Sequence, residues 1–259
     1  MTTSRSKRRR PHFSGGRPVW LFDLDNTLHH ASHAIFPAIN QAMTQYIIDA
    51  LQVERDVANR LRTGYTQRYG AALLGLERHH PIDPHDFLKT VHTFPDLRSM
   101  LRAERGLGRL IAALPGRKMV LTNAPEAYAR VVLRELGIER LFERVIAIEH
   151  MRDRRAWRAK PDAAMLRRHM RDAHVPLADA ILVEDTCGHL KRYKRLGIRT
   201  VWIVGHLSAA GPSARLPGTG RPHYVDRRIR SLKSLRLGTR ASRRAAPREA
   251  PAPSAGSER

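Results

Sequence analysis

Three observations predict an α/β fold: a doubly wound parallel sheet with an inserted all-helical cap. Short apolar runs of strand length alternate with stretches of helical periodicity, the pattern of a parallel sheet covered on both faces. Three of those runs stop at polar pairs, Asp23/Asp25, Thr122/Asn123 and Glu184/Asp185. That is where open α/β sheets place their ligands. Between Asn26 and about Arg105 only helical patterns occur, so a helical unit is inserted directly after the first strand.

In chain order, residues 1–18 are polar, basic and Gly/Pro-marked, and read as a disordered arm. Gly15-Gly16 precedes the first strand and so is not a phosphate loop. Val19-Trp20-Leu21-Phe22 reads as a strand buried on both faces. Ile35, Ile39, Met43, Tyr46, Ile47, Ala50 and Leu51 recur at helical spacing, with Pro37 in the first turn. Further helices are expected near 55–69 and 84–91, between breakers at Pro81 and Pro84. The cap is thus expected over 29–105, and the core over 19–28 and 106–237.

Alternation resumes with a strand at 118–121 and a helix from Pro125 to Leu136, stopped by Gly137. A strand at 144–148 follows, then a helix over 161–173 with Pro161 at its first position. A strand at 180–183 leads to a helix ending at Leu196 before Gly197, and a strand at 200–204 comes next. His223–Val225 is expected to add a short strand, and 229–237 a helix. Residues 238–259 are Ala/Pro/Ser/Arg-rich and read as a disordered basic tail.

Charge is the compositional outlier: 47 Lys+Arg against 24 Asp+Glu gives +23. The excess is uneven, with +6 in residues 1–18 and +8 in 227–259. Such a field favours anionic ligands, namely phosphates, nucleotides or nucleic acid. The single cysteine, Cys187, excludes an internal disulfide and fits a reducing compartment. No run is long and apolar enough to span a membrane, and no apolar segment follows the basic N-terminus. The expected location is the cytoplasm. Contact with nucleic acid through Lys7-Arg8-Arg9-Arg10 and the C-terminal tail is the alternative use of that charge.

Asp23 and Asp25 repel each other unless a cation lies between them or one is protonated. That asks for a hard, oxygen-preferring metal such as Mg2+. Lys160 adds a cation at a helix start. Taken singly, Thr122-Asn123 reads as a turn, Lys160 as a surface lysine and Glu184-Asp185 as a helix-end anion pair. Together, at one sheet edge, they supply a nucleophile, an acid/base, donors, a lysine and metal ligands. Phosphoryl transfer needs this set, because its catalysis is mostly positioning and charge neutralisation.

Asp23-Leu24-Asp25-Asn26-Thr27-Leu28, Leu121-Thr122-Asn123, Lys160-Pro161 and Val183-Glu184-Asp185-Thr186 resemble the four ordered motifs of the haloacid dehalogenase-like (HAD) phosphohydrolases. The insertion resembles that superfamily's C1-type cap. Asn26, where many relatives carry Gly, is similar to the pyrimidine 5′-nucleotidase-like branch, as are residues 68–76 and Phe94-Pro95-Asp96-Leu97. The resemblance implies that Asp23 attacks phosphorus to form an aspartyl-phosphate and that Asp25 is the general acid, then base. Asp25 is accordingly expected to be protonated when substrate arrives. The resemblance also implies Mg2+ on Asp23, the Asp25 carbonyl and Asp185, with Glu184 a direct or water-mediated partner. It implies that Thr122 and the Asn123 backbone hold phosphate oxygens, and that Lys160 neutralises charge. The implied substrate is a nucleoside monophosphate; the alternatives are a sugar phosphate, phosphoglycolate, or nucleic-acid binding through the tails.

The remaining candidates read as structural. His29, His30, His33, His79, His80 and His85 lack the Cys or acid partners of a zinc site and read as solvent-facing cap residues. His29 or His30 is near enough in sequence to touch a leaving group. Cys187 follows an acidic pair, which raises its pKa and leaves it unreactive. Trp20, Trp157 and Trp202 read as core or loop anchors, and Gly106-Leu107-Gly108 lacks the strand a dinucleotide fingerprint needs.

Overall fold

A computed structural model describes residues 17–153, 156–207 and 220–238. The basic arm and tail, and the nucleic-acid contact expected of them, lie almost wholly outside these residues.

Six strands form one all-parallel sheet, in the spatial order β3 (Arg144–Ile146), β2 (Arg117–Leu121), β1 (Val19–Phe22), β4 (Ala180–Glu184), β5 (Arg199–Ile203) and β6 (Arg227–Ile229). Strand β1 (Val19–Phe22) lies inside it. It is followed by helices α1 (Ile35–Leu51), α2 (Arg55–Tyr69), α3 (Ala72–His79), α4 (Pro84–Val91), α5 (Leu97–Met100) and α6 (Leu107–Ala112). Then come β2 (Arg117–Leu121), α7 (Glu126–Glu135), β3 (Arg144–Ile146), α8 (Ile148–Met151) and α9 (Ala163–Asp172). The chain continues with β4 (Ala180–Glu184), α10 (Cys187–Lys194), β5 (Arg199–Ile203) and β6 (Arg227–Ile229). Strand order reverses between β1 and β4, which makes their carboxyl ends the switch point of the sheet.

Alternation along β1 divides the core. Trp20 and Phe22 face a layer with Leu110, Ile111, Val132 and Leu133 of α6 and α7. Val19 and Leu21 face the opposite layer, with Leu166 of α9, Leu190 and Tyr193 of α10 and Trp202 of β5. A third cluster belongs to the insertion: Ile47, Leu73, Leu76, Phe87, Leu88 and Val91 pack with Ile148, Trp157 and Ala159 of the sheet domain. All three tryptophans are buried, as anchors should be.

Several boundaries differ from expectation. The edge strand is Arg227–Ile229, not His223–Val225. Residues 222–226 form a turn instead, closed by Val225 N–H to the Pro222 carbonyl and by Asp226 accepting from Thr200 and Lys194. The strand at 144–148 stops at Ile146, because Ala147 N–H donates to His150 Nδ1 and starts α8. Pro161 does not open the next helix. Asp162 caps it, accepting from Met165 N–H at 2.8 Å, and Lys160-Pro161 is a cis peptide. The segment expected as a helix over 229–237 is a short 3-10 helix, Leu232–Gly238, its start tied to Glu104.

Two turns explain residue choices. Asn26 has φ +60°, a region tolerated by Asn and Gly, and its side chain bonds Ser32 N–H at 3.0 Å and Ser32 Oγ at 2.8 Å. Gly116 has φ +88°, and a Cβ there would lie 2.0 Å from the Pro18 carbonyl oxygen. Gly116→Ala is therefore expected to lose about 3 kcal/mol, from strain plus displacement of the chain entering β1. An unfolding free energy from urea titration within about 0.5 kcal/mol of wild type would contradict the assignment.

Candidate active site

Asp23 follows β1 directly and is placed by its N–H bond to the Val183 carbonyl, 3.0 Å. Lys160 Nζ donates to Asp23 Oδ1 at 2.6 Å and to Glu184 Oε2 at 2.9 Å. Thr27 Oγ1 donates to the other oxygen of Asp23 at 3.0 Å. Lys160 is buried, which a lysine tolerates only when paired. Its backbone is pinned by Asn123, whose Oδ1 accepts from Lys160 N–H at 2.7 Å. The Asn123 side chain thus positions the lysine, a role beyond the backbone contact expected of this residue.

Thr122 is buried at the end of β2, and its Oγ1 accepts from Ala124 N–H at 3.0 Å. That bond leaves its hydroxyl proton for another acceptor. At the end of β4, Glu184 meets Lys160 and, at 3.2 Å, His189 Nδ1. Asp185 accepts from the Thr186 hydroxyl at 2.9 Å, while its carbonyl accepts from Trp202 Nε1. All seven expected site residues, Asp23, Asp25, Thr122, Asn123, Lys160, Glu184 and Asp185, line one cavity of about 340 Å³. The cap closes its other side with Phe36, Ile39, Met43, Leu73, Phe87 and Leu88, plus Asn40, Thr66 and His92.

The electrostatics are those of two carboxylates on one ammonium with a third, Asp185, beside them. Burial and the nearby Glu184 push Asp23 up to about 6, against the pull of Lys160. Burial, Glu184 and Asp23 also raise Asp185 well above its ordinary value. Burial raises Glu184 too, but Lys160 and His189 outweigh it and hold its carboxyl well below the usual range. Lys160 stays charged, because Asp23 and Glu184 outweigh its desolvation. One oxygen from each of Asp23, Glu184 and Asp185 lies within 4.8 Å of the others. An all-oxygen donor set with an excess of negative charge fits a hard divalent cation.

Asp25 departs from expectation. Burial raises its pKa, but hydrogen bonds from His29 and Tyr128 outweigh burial and lower it, so the group is not held protonated here. His29 is not solvent-facing either: it is fully buried, with Nε2 3.0 Å from Asp25 Oδ1. His30 stacks on His206 with centroids 4.9 Å apart, while His33, His79 and His85 are exposed as expected; His80 bonds Tyr65, His79 bonds Tyr69 and His85 lies against Trp157. Burial raises the Cys187 pKa, with Asp185 adding to it. Sequence pattern does not mark His29, Thr27, Tyr128 and His189 as partners of the acids. For His29 the available signal was its place one residue beyond the first motif.

Fold and site together define an α/β protein with a cluster of buried acids and a lysine at the switch point of a parallel sheet and a helical unit over them. A family model described as haloacid dehalogenase-like hydrolase matches residues 19–191. The chain belongs to that hydrolase family. Phosphate metabolism protein 8 of Saccharomyces cerevisiae is 30% identical over 138 residues, 49% of this chain and 42% of that protein. The chain thus spans less than half the length of that relative. Among solved structures, a HAD phosphatase from Thermococcus onnurineus aligns with TM-score 0.57 and 18% identity, covering 85% of this chain and 96% of that one. CbbY from Rhodobacter sphaeroides, in complex with phosphate, aligns with TM-score 0.55 and 21% identity, covering 84% and 96%. These structural likenesses concern the fold. Among the described residues no helix is long and apolar enough to cross a membrane.

Proposed function

We propose that this hydrolase is a Mg2+-dependent phosphatase of nucleoside monophosphates, with pyrimidine nucleotides preferred. The observation that carries the phosphatase reading is Asp23 at a strand end, one oxygen on Lys160 and the other on Thr27, with Asp25 two residues on. An Asp23 oxygen attacks phosphorus; the O–P bond forms as the ester P–O bond breaks. Asp25 gives its proton to the departing alkoxide. A water then attacks the aspartyl-phosphate, Asp25 takes the water's proton, and phosphate leaves. Asp25 starts ionised in the free site, so its proton is taken up as the phosphate dianion enters and raises its pKa. The Thr122 hydroxyl and the Asn123 backbone N–H donate to phosphate oxygens, and Lys160 spreads positive charge over Asp23 and the transferring group. Asp23 and Asp185, with the Asp25 carbonyl, would hold Mg2+, and Glu184 would orient them; the ion supplies charge neutralisation at the phosphoryl group.

The leaving-group side supports a nucleoside. Its cap wall is mostly apolar and carries two phenylalanines, Phe36 and Phe87, which suit a flat base. Asn40, Thr66 and His92 are the polar groups there that could meet base edges or ribose. No Lys or Arg lines the cap side of the cavity among the described residues, which disfavours a second phosphate or the carboxylate of phosphoglycolate. The pyrimidine preference rests on the resemblance of the motifs. The names of the relatives, a HAD phosphatase and a protein in complex with phosphate, agree with the chemistry.

Phosphate release with Mg2+ should be measured on UMP, CMP, dTMP, AMP, GMP, glucose 6-phosphate and phosphoglycolate. Turnover concentrated on pyrimidine monophosphates is expected. Turnover spread over the sugar phosphates discards the base preference and keeps the chemistry. No metal-dependent turnover on any ester favours the nucleic-acid-binding alternative.

A further inference from the structure

Asp25 is gripped by one oxygen. Its Oδ1 accepts from His29 Nε2 at 3.0 Å and from the Tyr128 hydroxyl at 2.8 Å. A carboxylate oxygen offers about two lone pairs, so both on Oδ1 are taken. Oδ2 accepts no hydrogen bond among the described residues, and the Asp25 side chain keeps 14% exposure where it lines the cavity. Both donors are buried, His29 at 0% and Tyr128 at 3% exposure, so water does not compete with Oδ1 for their protons.

The grip is itself braced. A backbone bridge joins Asp25 to His29, and the next residue, His30, donates its N–H to the Arg102 carbonyl at 2.7 Å. The Tyr128 ring meets two residues at the end of the helical insertion, His92 with centroids 5.4 Å apart and Phe94 at 5.8 Å. His92 is tied in turn by Nδ1 to the Leu88 carbonyl at 3.0 Å.

We propose that His29 and Tyr128 are positioning residues that occupy Oδ1 of Asp25 and so dedicate Oδ2 to proton traffic with the leaving group and the water. The insertion takes part by packing His92 and Phe94 on the Tyr128 ring. This inference rests on the phosphomonoesterase reading above. It assigns the two donors a function that depends on how much the departing oxygen needs a proton. A nucleoside 5′-alkoxide is a poor leaving group and needs one; p-nitrophenolate leaves without it. A merely structural role would slow both substrates alike.

The test is single-turnover release of uridine from UMP and of p-nitrophenol from p-nitrophenyl phosphate, with Mg2+ and the full chain. Tyr128→Phe keeps the ring and its packing, and is expected to slow the UMP reaction about thirtyfold. The loss on p-nitrophenyl phosphate should be smaller by about fivefold or more. His29→Leu should show the same split, and His29→Gln, which restores an N–H donor, should recover much of the UMP rate. Equal losses on the two substrates, or no loss in Tyr128→Phe, would overturn the inference. Absence of turnover on both esters by the wild type would instead remove the reading beneath it.

Discussion

Asp23→Asn is expected to abolish phosphate release, by about 10⁴-fold or more, while making the metal-free protein more stable. The first half follows from chemistry: an amide oxygen does not displace an alkoxide from phosphorus. The second half follows from the surroundings of the carboxylate. Burial and Glu184 raise Asp23 from 3.8 to about 6, so the ionised form is disfavoured in the folded chain. Between those two values the folded state binds more protons than the unfolded one. Stability therefore falls as pH rises through the window, by about 3 kcal/mol for this group alone. At pH 7 the asparagine variant escapes that cost and loses only the charge pairing with Lys160, whose ammonium an amide oxygen can still accept from and which keeps Glu184 at 2.9 Å. A net gain of about 1–2 kcal/mol is expected in urea unfolding with chelator present. Excess Mg2+ should narrow the gap by stabilising the wild type. A variant less stable than wild type under chelation would show that the carboxylate holds the site together rather than straining it.

What could be read in the chain follows from where polar residues fall. Asp23, Thr122 and Glu184 interrupt or end apolar runs, so strand ends and chemistry are marked by the same step in the sequence. Lys160 was legible through its neighbour Pro161, although the helix starts later, at Ala163 behind the Asp162 cap. Tyr128 was hidden because it sits on the apolar face of α7 with Ala129, Val132 and Leu133, where an aromatic at helical spacing looks like plain core. His29 was hidden among neighbouring histidines, since nothing in a run of polar residues says which one turns inward. Strand β6 carries two arginines and one buried isoleucine, too little apolar alternation to mark a strand. Helix α3 contains Gly75, a poor helix former; its lack of a side chain makes room for Tyr65, which a Cβ would meet at 2.1 Å. For Tyr128, bonded to Asp25 across 103 residues, and for β6, paired with β5, the deciding contact is long-range and local pattern carries no trace of it; His29 meets Asp25 only four residues away, and there the polarity of the segment conceals the inward turn.

Lys160→Met separates what the lysine does for the fold from what it does for the reaction. Removing the ammonium leaves Asp23 and Glu184 buried side by side without the cation that both contact, and only Glu184 keeps a second partner, His189. An uncompensated buried charge of this kind costs about 3–5 kcal/mol. The loss should be largest near neutral pH and shrink in acid, where the two carboxylates can take up protons. Burial and mutual repulsion, no longer opposed by Lys160, push both pKa values upward. Adding Glu184→Gln removes one of the two stranded anions, so the double variant should regain about half of the lost stability. It should regain none of the activity, because Asp23 would still lack the cation that offsets charge on the transferring phosphoryl group. Urea unfolding of wild type, Lys160→Met and the double variant at pH 5 and pH 8, beside phosphate release, measures both effects. A single variant equally destabilised at the two pH values would mean that lost packing of the lysine stem, not stranded charge, sets its cost. Recovery of activity in the double variant would mean that Lys160 serves catalysis only by restraining Glu184, and its direct contact with Asp23 would then be structural.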